Sequence, residues 1–126
     1  FNKKRRAIAK IYDKFLSRYP KLFVVQKYSK NFTHSYQMYT CLVKQNVRNN
    51  FLNYMMRNGI EVSAHFVPPL HKQKYLLKYS KKKLKNTDIL SKQIVSLPIY
   101  PNLKNIELKK ILMKIKNWTN INASES

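Results

Sequence analysis

Glycine is almost missing from this chain: Gly59 is the single one among 126 residues, and its isolation rules out a glycine-rich loop able to wrap a phosphate. Cysteine is as scarce. Cys41 alone excludes an internal disulfide framework and any cysteine-built zinc site, so a reducing, intracellular setting is expected and Cys41 itself is expected to be packing. The five acids, Asp13, Glu61, Asp88, Glu107 and Glu125, are spread so that no two stand where paired carboxylates would share a substrate. No apolar run reaches the length of about 20 residues needed to cross a bilayer, and the first residues carry no signal-peptide stretch. A soluble cytoplasmic protein with no membrane partner is expected.

Positive charge is what the chain has in excess, +21 from 26 Lys and Arg. Such a balance is the electrostatic footprint of a nucleic-acid binder, and basic residues do cluster at Lys3-Lys4-Arg5-Arg6 and Lys81-Lys82-Lys83. Lysine nevertheless runs through almost every segment, beside abundant asparagine and tyrosine, as a coding sequence biased towards A and T would produce. No nucleic-acid recognition motif accompanies it. Two readings stay open at this level: solvated lysine faces, or a stand-alone basic domain that binds nucleic acid or a protein partner.

With 44% hydrophobic residues the chain can bury one core and reads as one domain, residues 1–118, with a frayed polar tail over 119–126. Helical spacing of Ile8, Ile11, Tyr12, Phe15 and Leu16 predicts a lead helix over 1–19 that ends at Pro20 and starts without a capping residue, as though continued from a longer chain. A short strand over 22–25 and a buried, tyrosine-rich strand over 35–44 follow. Residues 47–58 carry Phe51, Leu52, Met55 and Met56 on one side, with Arg48 and Arg57 outside it, and close on Asn58-Gly59, where a left-handed cap favours glycine. A strand over 61–67 leads into the Pro68-Pro69 corner. Thr87 is expected to cap a helix to Gln93 with Asp88 in its first turn, Val95 to Ile99 to form an edge strand, and Asn105 to cap a last helix faced by Leu108, Ile111, Leu112, Ile115 and Trp118. The order of elements implies an α+β layer, helices on a mixed or antiparallel sheet of three or four strands.

Chemistry is harder to find. His34, His65 and His71 lack acidic partners at metal-ligand spacing, and His65 and His71 flank a proline turn instead of sharing a helix face, so no metal site is expected. Ser35, Ser63 and Ser96 show no nucleophile-elbow pattern. The lysines look solvated, unlike the desolvated amine of a Schiff-base site.

Taken in order, Arg5-Arg6-Ala7-Ile8-Ala9-Lys10-Ile11-Tyr12, His34-Ser35-Tyr36-Gln37-Met38-Tyr39, Asn58-Gly59-Ile60, Ala64-His65-Phe66-Val67-Pro68-Pro69-Leu70-His71 and Ser96-Leu97-Pro98-Ile99-Tyr100-Pro101 resemble the C-terminal small domain of the DegT/DnrJ/StrS sugar aminotransferases. The resemblance covers nearly the whole chain. It implies the small domain of a fold-type I, aspartate-aminotransferase-like enzyme that uses pyridoxal phosphate to move an amino group, usually from glutamate, to a nucleotide-linked keto-sugar. It also implies a homodimeric whole enzyme whose Schiff-base lysine and cofactor-binding residues lie in a larger, preceding domain. No catalytic and no cofactor-binding residue is therefore expected in this segment, which would be inactive alone.

The resemblance places Tyr36, Gln37 and His65 near the sugar and the mouth of the site, and often has His or Trp where this chain has Gln37. As side chains, Tyr36 offers a ring, Gln37 a donor and acceptor for hydroxyls, and His65 and His71 donors for phosphate oxygens. On a strand one of Tyr36 and Gln37 must face away. Tyr36 is equally suited to the core, and His71 to capping the proline turn.

Overall fold

The apolar faces of three helices close on one side of a small antiparallel sheet in the computed structural model, which describes residues 1–65, 67–80 and 82–123. Strands β1 (Phe23–Val25), β2 (Tyr39–Val43) and β3 (Ile94–Leu97) lie in the order β1-β2-β3, with β2 central. Phe23 pairs with Val43, and Cys41 with both Val25 and Val95, so one face of the sheet presents Phe23, Tyr39, Cys41, Val43, Val95 and Leu97. All six are buried.

Helices α1 (Asn2–Leu16), α2 (Arg48–Arg57) and α4 (Asn105–Ile121) cover that face. Tyr12 of α1 packs on Tyr39 at 4.8 Å between ring centroids, and its hydroxyl donates to the Pro98 carbonyl at 2.7 Å. Phe51 of α2 meets Trp118 of α4 edge-on at 4.8 Å, and both lean on Phe23 of β1. The Trp118 indole N–H donates to Asn50 Oδ1 at 2.8 Å, so the largest buried ring leaves no polar atom unsatisfied. Cys41 is buried under this layer, and burial, with Asp13 adding to it, pushes its thiol up to about 12. It is packing, as its apolar setting predicts.

Helix α2 ends as the sequence implies. Gly59 takes φ +74°, the left-handed cap conformation, and its N–H donates to Met56 O at 3.0 Å. Other expectations shift. Met56 is exposed while Met55 is buried, and Arg48 is buried, donating from Nη1 to the Ile94 carbonyl at 3.1 Å and so tying α2 to β3. Ile11 is exposed, because α1 turns a narrower stripe to the sheet than the spacing suggested. The helix ends at Leu16, four residues before Pro20, where Ser17 to Tyr19 turn back onto its last carbonyls.

The strand expected over 61–67 shrinks to one antiparallel bridge, Ser63 with Ser96, on the outer edge of β3. The chain turns at His65 and then meets Pro68, which has no N–H to lend a ladder; Phe66 lies outside the described residues. Short 3₁₀ turns at Leu70–Lys72 and Leu77–Tyr79 lead to α3 (Lys85–Ser91). That helix starts two residues ahead of Thr87, since the Asp88 N–H already bonds the Leu84 carbonyl at 2.9 Å; Asp88 is in the first turn as expected. In α4 Asn105 is the first helical residue and not the cap. Glu107 Oε2 accepts the Lys104 N–H at 2.7 Å and does the capping from inside the helix. The same helix continues past 118 to Ile121 with Thr119 buried, its hydroxyl donating to Lys116 O at 2.6 Å, so the polar tail begins later than composition suggested. Residues 124–126 lie outside the described part. No described helix is long and apolar enough to cross a membrane.

Candidate functional site

Below β3 the Ser63–Ser96 bridge carries the 61–65 segment along the sheet edge and sets His65 opposite the connection that enters β2. The result is an open cleft of about 240 Å³ whose walls include Gln37, Glu61, Ser63, His65, Ser96 and Tyr100. Two of the residues singled out from the sequence, Gln37 and His65, therefore share one wall system although distant in the chain. Ser63 Oγ and His65 Nε2 lie 2.8 Å apart, which orients an otherwise exposed imidazole.

His65 also borders a second hollow, of about 540 Å³, which includes Leu70, His71, Leu84, Leu90 and Ile94 and is mostly apolar. His71 sits there with Nε2 2.8 Å from Asp88 Oδ1, and Lys72 Nζ reaches the same oxygen at 3.1 Å. Burial works to raise the Asp88 carboxyl, but the hydrogen bonds from Lys72 and His71 outweigh it and hold the group below the usual carboxylate range. An anionic ligand approaching His71 Nε2 would meet that carboxylate first.

Tyr36 goes elsewhere. It adopts φ +50°, so the chain here is a left-handed turn and not the strand expected from residue 35. Its ring lies 4.3 Å from His34, 5.6 Å from Tyr28 and 6.3 Å from Tyr39, in an aromatic cluster behind the cleft wall, while Gln37 and Met38 face the cleft. Tyr39 in turn donates to Asp13 Oδ1 at 2.6 Å; burial, then the hydrogen bond to Asp13, push its hydroxyl far above the usual phenol range.

Sequence reasoning missed two contributors. Ser96 lines the cleft with a buried hydroxyl that has no hydrogen-bond partner, and Asp88 immobilises His71. The Ser-Leu-Pro strand was the available signal for the first; nothing local pointed to the second. Chemically the cleft is a set of polar donors and acceptors that includes one carboxylate and one phenol, a surface suited to hydroxyl groups. Among the described residues no three His, Cys, Asp or Glu side chains stand close enough to hold a metal ion. Nor do they fit pyridoxal phosphate, which needs an amine in a desolvated pocket: every described lysine is exposed except half-buried Lys114, which lines neither hollow.

A family model described as the DegT/DnrJ/EryC1/StrS aminotransferase family matches residues 1–116. An uncharacterized protein of Methanocaldococcus jannaschii is 28% identical over 122 residues, covering 90% of this chain and 31% of its own length. Among solved structures, a DegT/DnrJ/EryC1/StrS aminotransferase from Brucella abortus superposes with a TM-score of 0.82 at 24% identity, over 93% of this chain and 31% of that one. A sugar aminotransferase from Micromonospora echinospora gives 0.80 at 18%, over 93% and 30%. The chain thus spans about a third of the length of the proteins it matches, and the solved structures establish the fold.

Proposed function

The chain belongs to the DegT/DnrJ/EryC1/StrS aminotransferase family, and we propose that it acts as the small lobe of a pyridoxal-phosphate enzyme that aminates a nucleotide-linked keto-sugar, with glutamate as donor. In this reading the lobe supplies substrate contacts, while the cofactor, its lysine and the dimer interface belong to the remaining two thirds of the enzyme's length. One observation carries it: Gln37 and His65, far apart in sequence, line one cleft of polar groups with an unpartnered hydroxyl, Ser96, in its lining. Gln37 and His65 are assigned to sugar hydroxyls. Tyr36 and His71 are assigned supporting places, the first behind the wall and the second held by Asp88.

A titration of the isotope-labelled chain with uridine-diphosphate glucose, followed by NMR, tests this. Shifts are expected to concentrate on Gln37, His65, Ser96 and Tyr100 and to persist at 0.2 M salt. A response spread evenly over the lysine-bearing helices and abolished by salt would show plain coulombic attraction and overturn the assignment. Incubation with pyridoxal phosphate and borohydride is expected to label surface lysines diffusely, so stoichiometric capture at one lysine would contradict the division of labour between lobes.

A further inference from the structure

We propose that His34 is a positioning residue: its ring holds Tyr36 in the left-handed turn that makes Gln37 face the cleft. The inference rests on the reading of that cleft as a substrate wall only for its ligand arm.

Tyr36 is the one non-glycine residue with positive φ among the described residues, and a tyrosine has no intrinsic reason to adopt it. Something must hold it there. His34 Nδ1 accepts the Tyr36 N–H at 2.9 Å, the same two-residue reach by which an asparagine or aspartate side chain builds a turn from its own backbone. The ring packs against two others, 4.3 Å from Tyr28 and 4.3 Å from Tyr36, which themselves meet edge-on at 5.6 Å, and the Tyr28 hydroxyl donates to Gln26 Oε1 at 2.7 Å. An imidazole packed into a three-ring cluster, with Nδ1 accepting the Tyr36 N–H, is a restrained acceptor.

The consequence lies downstream. An extended chain running into β2 would send Gln37 and Met38 to opposite sides. With the left-handed residue ahead of them, Gln37 and Met38 form a bend and not a strand, so the Tyr36 ring joins the cluster while Gln37 and Met38 both line the cleft with His65. His34 does not line the cleft. Its effect passes through one backbone amide.

The experiment compares the full chain with His34→Asn, which keeps an acceptor at the same reach, and His34→Ala, which removes it. The readouts are the strong amide-to-Hα cross-peak within Tyr36 that a positive φ produces, and the response of the Gln37 amide to uridine-diphosphate glucose. His34→Ala is expected to lose the cross-peak and to weaken binding about fivefold, the size of one lost hydrogen bond, while His34→Asn keeps both. In a Tyr36→Gly background, where the turn needs no support, the same alanine change is expected to leave the Gln37 response unaltered. A Tyr36 cross-peak that survives His34→Ala, or a His34→Asn protein that behaves like the alanine variant, overturns the proposal. If the unmodified chain shows no ligand response at the cleft, the substrate assignment falls, and the Tyr36 cross-peak still decides the role of His34.

Discussion

The body of the domain and the segment over 61–91 are built on opposite principles. In the body, three helices bury Tyr12, Leu16, Phe51, Met55, Ile115 and Trp118 against one sheet face, ring on ring. In the segment, the two 3₁₀ turns and α3 bury no residue at all, and Leu70, Tyr75, Leu77, Tyr79 and Leu90 stay exposed. Val62 at its start joins the core; what fixes the rest of the segment is polar: His71 and Lys72 on Asp88, Ser91 Oγ on the Asp88 carbonyl at 2.8 Å, and the Ser63–Ser96 bridge. Apolar burial supplies most of a fold's stability, so the body should unfold as a unit and the segment should open locally at far lower cost. The candidate cleft lies on the border, with Ser96 and Tyr100 from the body side and Glu61, Ser63 and His65 from the segment.

The largest expected effect tests that contrast directly. Trp118→Ala empties a fully buried site and strands Asn50, and should remove about 3–5 kcal/mol, enough to unfold a marginal domain. Tyr75→Ala, at 85% exposure, should change stability by less than about 0.5 kcal/mol. Urea unfolding of the two variants decides it, and comparable losses would mean that the segment belongs to the core.

A smaller effect is expected at Gly59, where the body hands over to the segment. A Cβ there would meet nothing nearer than Lys110 Nζ at 4.0 Å, so Gly59→Ala carries no clash, only the cost of a left-handed backbone, about 1–2 kcal/mol. Gly59→Asn, which tolerates that conformation better, should lose less in the same urea measurement. Equal losses for alanine and asparagine would point to something other than φ.

The same contrast explains what the sequence could reveal. Helices α2 and α4 and the Gly59 cap were legible because periodicity and a cap residue are local signals, and β3 because prolines bound it. Arg48 and Met56 changed places with expectation because a ten-residue helix has too few turns to define its buried stripe sharply. The 61–67 strand failed for another reason. Pairing is a property of the partner edge, and β3 offers Ser63 one bridge before the chain turns. In the site, Gln37 and His65 were legible as residue types in suggestive positions. Strand alternation required one of Tyr36 and Gln37 to face away without saying which; that it is Tyr36 goes with a backbone turn bonded by the His34 side chain, which no pattern of side-chain polarity encodes.

The smallest effect concerns the polar pins of the segment. Asp88 has its carboxyl held below the ordinary range by Lys72 and His71, against the opposing effect of burial, so the folded segment binds its proton less readily than the open one. Stability from this group is therefore fully present above the ordinary carboxylate pKa of about 4 and is lost as pH falls through the depressed folded value. Between neutral pH and about pH 4 the amides of 70–91 should keep their exchange protection relative to the body; below that they should lose it first, while α2 and α4 stay protected. Asp88→Asn should show the low-pH pattern already at neutral pH, with an unchanged urea midpoint for the body. If the segment and the body lose protection together in the acid series, the pins are incidental and the two regions are one cooperative unit.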